Sequence, residues 1–179
     1  MSSEKSLLHD ILSGNRAAQR ELYDRYAGYA MATCLRYIAD RDAVKDVMQD
    51  AFVKVFTSLS QFHYRGEGSL KAWVTRIAAN ESLNYVRRNE RLAFTDNVPD
   101  VPDDEEPDIG EVPMQVLLRM IGDLPAGYRA VFNLFVFEGM SHKDIARALG
   151  IKESSSASQY LRAKRQLAKE INEYKNKQR

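Results

Sequence analysis

Outside one central stretch, apolar residues recur at three and four positions along the whole chain, and Val, Ile and Thr never alternate with polar residues over the length of a strand. The pattern therefore predicts an all-α protein. A short first helix ends at Gly14-Asn15, where Asn15 is placed to cap a longer helix through "RAAQRELYDRYAGYAMATCLRYI". Residues 40–42 form the next break. The third helix, "DAVKDVMQDAFVKVFTSL", carries its apolar stripe at Val44, Val47, Met48, Ala51, Phe52, Val55, Phe56 and Leu59, one continuous face at 100° per residue. Opposite lie Asp46, Gln49, Asp50 and Thr57, with Val53 among them. Such a polar face commonly meets only solvent, but an apolar residue ringed by acids favours a protein-docking surface.

After the turn "HYRGEGS", Ser69 is placed to cap a fourth helix, "LKAWVTRIAANESLNYVRRNE". Leu70, Val74, Ile77, Ala78 and Tyr85 make its packed face, whereas Arg76, Asn80, Leu83 and Arg87 form a second strip, with Trp73 at the border. Cations meet phosphates, amides reach base edges and aromatic rings stack on unpaired bases, so this strip suits nucleic acid. Trp73 fits a core position equally well, and arginines on a helix often serve only as a solvated face.

The central stretch "TDNVPDVPDDEEPDIGEVP" breaks the periodicity. It holds four of the five prolines and eight carboxylates with no basic residue, so it can neither propagate a helix nor bury enough apolar surface to offset chain entropy. We read it as a flexible acidic linker over residues 94–113, joining small helical domains at 1–93 and 114–179. The net charge of +1 conceals this partition: residues 1–91 carry +3, residues 92–126 carry −8 and residues 127–179 carry +6.

Beyond the linker, two apolar-faced helices precede "SHKDIARALGIKESSSASQYLRAKRQLAKEI". Ser141 with Asp144 makes a capping box, Ile145 and Leu149 face inward, Gly150 provides the turn and Ile151 staples the corner, which together define a helix-turn-helix. On a wheel of the last helix, Tyr160, Leu161, Leu167, Ala168 and Ile171 form the buried arc. Ser155, Ser158, Arg162, Arg165 and Lys169 line an exposed stripe. Small hydroxyls allow close approach to a DNA groove, Arg162 is placed to reach a guanine edge, and Arg165 and Lys169 suit phosphates. A generic basic amphipathic helix is the plainer alternative, which the preceding capped helix and glycine turn disfavour.

The remaining composition excludes more than it adds. No apolar run approaches the length of a membrane helix, and the N-terminal residues lack the pattern of a signal peptide, so we expect an intracellular, cytoplasmic protein with no membrane insertion. A single cysteine, Cys34, excludes an intramolecular disulfide and a thiol zinc cage and reads as a buried inert thiol. His9, His63 and His142 have no metal-ligand spacing, and no phosphate-binding glycine loop or nucleophile elbow is present. We expect no catalytic residues, no metal and no cofactor.

Taken in order, four segments resemble the extracytoplasmic-function (ECF) sigma factors of the bacterial sigma-70 family: "GNRAAQRELYDRYAGY", "DAVKDVMQDAFVKVF", "GSLKAWVTRIAANESLNYVRR" and "LPAGYRAVFNLFVFEGMSHKDIARALGI". The resemblance covers nearly the whole chain. It implies a non-enzymatic specificity subunit that binds core RNA polymerase through Asp46, Gln49, Asp50 and Val53. It further implies that Arg65 in the "HYRGEGS" loop, with Trp73, Arg76, Asn80, Arg87 and Arg88, engages the minus-10 element of promoter DNA and holds an extruded base. The second domain would read the minus-35 element through Ser155, Ser158, Gln159, Arg162 and Arg165. The linker would thread the polymerase channels, and an anti-sigma factor is an implied partner.

One departure stands out. Many members carry Gly-Thr-Val followed by Lys-Ser-Arg-Leu where this chain has "SSSASQYL", so basic residues are missing at Ala157 and Gln159. Fewer phosphate contacts imply weaker non-specific DNA affinity and an altered minus-35 preference. The competing function is a stand-alone helix-turn-helix regulator binding an operator as a dimer, which leaves the Asp46 face unexplained. An adapter or anti-termination protein would need the polymerase face without promoter specificity.

Overall fold

The structure is a computed structural model that describes residues 2–90, 92, 109, 110 and 112–178. Most of the predicted linker, 94–113, lies outside the described residues. The chain divides into two compact units, Met1–Tyr85 and Val86–Arg179. Among the described residues every regular element is helical: α1 Glu4–Leu12, α2 Arg16–Tyr37, α3 Arg41–Ser58, a 3-10 turn at Leu59–Gln61, α4 Ser69–Asn89, α5 Met114–Asp123, α6 Ala126–Val136, α7 His142–Leu149 and α8 Glu153–Gln178. None of them is long and apolar enough to cross a membrane.

Local chemistry sets the helix starts in the first unit. Asn15 Oδ1 accepts from the Ala17 and Ala18 N–H groups at 2.9 and 3.3 Å, and Asp40 caps α3 through the Asp42 N–H at 2.9 Å. The predicted stripe of α3 is buried from Val44 to Leu59, with Phe56 half-buried, against Leu22, Tyr26, Ala30, Cys34 and Tyr37 of a fully covered α2 face. Cys34 has no exposed surface and burial pushes its thiol pKa up, as expected of an inert core thiol.

α4 starts differently from the sequence expectation. Ser69 is the first helical residue instead of the cap, and its hydroxyl turns back into the preceding loop, donating to Gly66 O at 2.6 Å and accepting from Arg65 N–H at 3.2 Å. The free N–H groups of α4 go to Glu4 instead: Leu70 donates to Oε2 at 3.0 Å and Lys71 to Oε1 at 3.2 Å. Glu4 is only 2% exposed and also accepts from the Tyr26 hydroxyl at 2.8 Å.

In the second unit α5, α6 and α7 pack around α8. One cluster joins Val112, Met120, Ile121 and Leu124 to Ala163, Leu167 and Ile171, with Tyr128, Phe132 and Tyr174 at its margin. The α5–α6 corner is held by Arg129, a 5%-exposed guanidinium that donates to Gly122 O at 2.7 Å and Leu124 O at 3.0 Å and pairs with Glu90. It thereby satisfies carbonyls that the end of α5 leaves without helical partners.

Ser141 caps α7 as predicted, its Oγ accepting from the Asp144 N–H at 3.2 Å. Asp144 Oδ2, however, accepts from the Ser141 hydroxyl at 2.7 Å, a side-chain pairing in place of the reciprocal bond to the Ser141 N–H that a capping box has. Gly150 ends α7 at φ 68°, the left-handed region where a side chain is strained, and so turns the chain into α8.

Candidate nucleic-acid interface

The α3 face appears as the sequence predicts. Asp46, Gln49 and Asp50 are exposed, and Val53 is 58% exposed among them, while the neighbouring Val47, Met48, Ala51 and Phe52 are buried. The valine is therefore not a spare core residue. Lys54, next to it, bridges to Glu81 of α4 at 2.8 Å, tying the two helices together at the edge of this face.

Along α4, Arg76, Asn80, Arg87 and Arg88 are exposed, and so is Arg65 in the loop before it. Leu83 departs from the predicted strip: it is buried, together with Ala79 and Val86, because the second half of α4 is covered on more than one side. Trp73 is half-buried, and its ring lies 5.0 Å from that of Phe62 at an angle of 41°, so it is packed against an aromatic neighbour without being fully covered. Lys71 sits 3.7 Å over the ring of Tyr29, a 48%-exposed tyrosine on α2. In the first unit Arg65, Lys71, Arg76, Asn80, Tyr29 and Trp73 thus supply cations, an amide and packed aromatics, while Arg87 and Arg88 belong to the second unit.

The electrostatics beneath this surface centre on Glu4. Burial raises its carboxyl pKa, but hydrogen bonds from the Leu70 N–H, the Tyr26 hydroxyl and the Lys71 N–H outweigh that, and the net shift is downward. Tyr26 moves the opposite way, upward, through burial and its bond to Glu4. The carboxylate is thus held ionised at the positive end of α4.

In the second unit the expected stripe of α8 is corrected in part. Ser155 and Ser158 are 2% and 0% exposed, Arg162 and Arg165 are half-buried, and of the stripe Lys169 alone is exposed, while Gln159, named from the resemblance, is 0% exposed. A helical wheel assumes a single packed arc, whereas the first turns of α8 are covered on opposite sides, Ser156 and Ser158 both being fully buried. Tyr160, Leu161 and Ala168, expected in the buried arc, are half-buried. Ser156 has a defined role at the α7–α8 corner, where His142 Nδ1 lies 3.0 Å from its hydroxyl. His142 also stacks on Phe135 at 4.5 Å, and burial lowers its pKa.

Sequence reasoning missed Glu4, Phe62 and the Tyr29–Lys71 pair. Phe62 and Trp73 lie far enough apart to need the turn geometry, and nothing local in the sequence links Glu4 to a helix that starts 65 residues later.

Comparison with known proteins places both units. The sigma-70 region 2 description matches residues 22–92 and the sigma-70 region 4 description matches residues 114–167. The ECF RNA polymerase sigma-E factor of Haemophilus influenzae is 26% identical, covering 94% of this chain and 95% of that protein. The RNA polymerase sigma-H factor of Pseudomonas aeruginosa is 27% identical over 94% and 93%. The sigma-E factor of Escherichia coli is 26% identical over 90% and 91%. Among solved structures, CnrH in complex with the cytosolic domain of CnrY is 25% identical, with 96% of this chain and 98% of that chain covered and a TM-score of 0.49.

Two ordered regions of one transcription-initiation family, on a chain of matching length, define the class: this is a two-region, promoter-directed factor. The chain belongs to the ECF group of the sigma-70 family.

Proposed function

We propose that this sigma factor works through three surfaces. Asp46, Gln49, Asp50 and Val53 dock on core RNA polymerase. Arg65, Trp73, Arg76, Asn80, Arg87 and Arg88 engage and open the minus-10 element. Ser155, Ser158, Gln159, Arg162 and Arg165 read the minus-35 element. The observation that carries the reading is Val53, an exposed apolar residue inside an acidic rim on the otherwise one-sided helix α3, adjoining the basic, aromatic surface of α4.

The protein supplies binding energy and base capture, and the polymerase supplies the chemistry, so the factor is not itself an enzyme and acts in the cytoplasm. Contact of the α8 serines and Gln159 with DNA requires that their present cover be removed, and release from an anti-sigma partner belongs to the same reading. The domain limits 1–93 and 114–179, with an acidic tether between them, complete it.

The test is transcription of a genomic fragment library by purified bacterial core polymerase with and without the protein, mapping every new RNA 5′ end. New starts that share two upstream motifs at fixed spacing are expected. Tight binding of duplex DNA by the isolated chain without any new start would instead establish a stand-alone regulator.

A further inference from the structure

A helix usually takes its cap from the residue just before it, at little cost, because a Ser, Thr, Asp or Asn there reaches the free N–H groups from solvent. α4 does not. Its local hydroxyl, Ser69, serves the loop instead, and the cap is a buried carboxylate from α1, which is expensive to bury and persists only because three donors satisfy it. The same residue also holds the loop from its backbone: the Glu4 N–H donates to Glu67 Oε1 at 3.0 Å, and Tyr64 Oη donates to that oxygen at 3.3 Å. Gly66 and Gly68, at φ 114° and 89°, bend the chain between these anchors. The segment before α4 is therefore shaped from its inner side. Arg65 in this segment is exposed, and Trp73, half-buried, follows it in the second turn of α4.

We propose that Glu4 is a positioning residue for promoter melting. Its carboxylate and N–H fix the 64–69 loop and the first turn of α4 in the shape that presents Arg65, Trp73 and Arg76 to unpaired bases. This rests on the reading of α4 as the minus-10 surface.

The experiment uses the full chain, core polymerase and a promoter fragment mapped by the transcription test above. Glu4→Ala, Glu4→Gln and Glu67→Ala are compared for core affinity, for permanganate reactivity of unpaired thymines, and for acrylamide quenching of Trp73, the single tryptophan. Glu4→Ala is expected to reduce open complexes at least about tenfold, raise quenching of Trp73 and change core affinity less than about twofold. Glu4→Gln, which keeps one carbonyl acceptor, falls between it and the parent, and Glu67→Ala shows a smaller loss in the same direction. A proportional loss of core affinity, melting and helicity in Glu4→Ala would assign the residue to general stability and overturn the proposal. So would unchanged melting. Where Glu4→Ala does not fold, Glu4→Gln and Glu67→Ala decide, and parental melting in both overturns it. Arg76→Ala and Asn80→Ala separate the underlying reading: if neither affects melting, α4 is not the minus-10 surface, whatever Glu4 does.

Discussion

Replacing Asp50 with Arg and Val53 with Asp attacks the α3 face at its centre and rim together. Val53 is 58% exposed, so docking would cover somewhat more than half of its side chain; full burial of a valine stabilises by about 1.5–3 kcal/mol, which leaves roughly 1–2 kcal/mol to lose. An aspartate there adds a desolvated carboxylate, at a cost of about 1–3 kcal/mol. Reversing Asp50 turns an attraction for a complementary surface into repulsion. Together these losses should weaken core binding by at least about 2 kcal/mol, roughly thirtyfold in Kd. Both side chains are exposed and neither participates in a cap or in the buried stripe, so far-UV circular dichroism and the melting midpoint should match the parent. The assay is competition of the variant against labelled parent for core polymerase, at two salt concentrations so that the charge contribution separates from the apolar one. A Kd within about threefold of the parent, with the fold intact, would refute the docking assignment and the use of an exposed valine as its marker.

Three further outcomes are expected. Arg162→Ala should cost about 1–3 kcal/mol on a promoter with its mapped minus-35 element and much less on one with that element scrambled; equal losses would reassign the side chain to a phosphate. Arg129→Met removes the donors to Gly122 O and Leu124 O and should destabilise the second unit by about 3 kcal/mol, lowering the urea midpoint followed by circular dichroism while the Trp73 fluorescence transition, which reports the first unit, stays in place. Acidification should act twice. The native His142 pKa is lowered, so its unfolded imidazole binds a proton first: the stabilising contribution is complete above about pH 6.5 and declines as pH falls below that. Glu4, also lowered, contributes fully above the ordinary glutamate range and is lost as pH falls through its native pKa, so His142→Phe should remove the milder acid phase alone in a pH series of melting curves.

What the sequence disclosed depended on how far apart the partners lie. The α3 face was legible because a helix covered on one side leaves a clean alternation, so Val53 stood out against Val47 and Phe52 before any coordinates. The Asn15 and Ser141 caps were legible because capping acts within three residues. Ser69 misled because a non-local carboxylate displaced it from the helix N–H groups, freeing its hydroxyl for Gly66. The α8 wheel failed at Ser155 and Ser158, and in part at Arg162 and Arg165, because periodicity describes one packed arc and says nothing of cover on another side. The core reading of Trp73 is met in part: the ring packs on Phe62 but is only half-buried.

The bond from Leu70 N–H to Glu4 spans 66 residues of chain. During synthesis at about 5–20 residues per second, Glu4 is made roughly 3 to 13 seconds before its partner, and it cannot close the start of α4 until that segment is free to fold back. Until then an acidic side chain destined for burial waits in water, and the first two helices must form without the contact that anchors them to the fourth. The surface proposed to open DNA is thus among the last parts of the first unit to take shape, and a nascent or truncated chain that already has α3 would present the proposed docking face before the start of α4 is fixed.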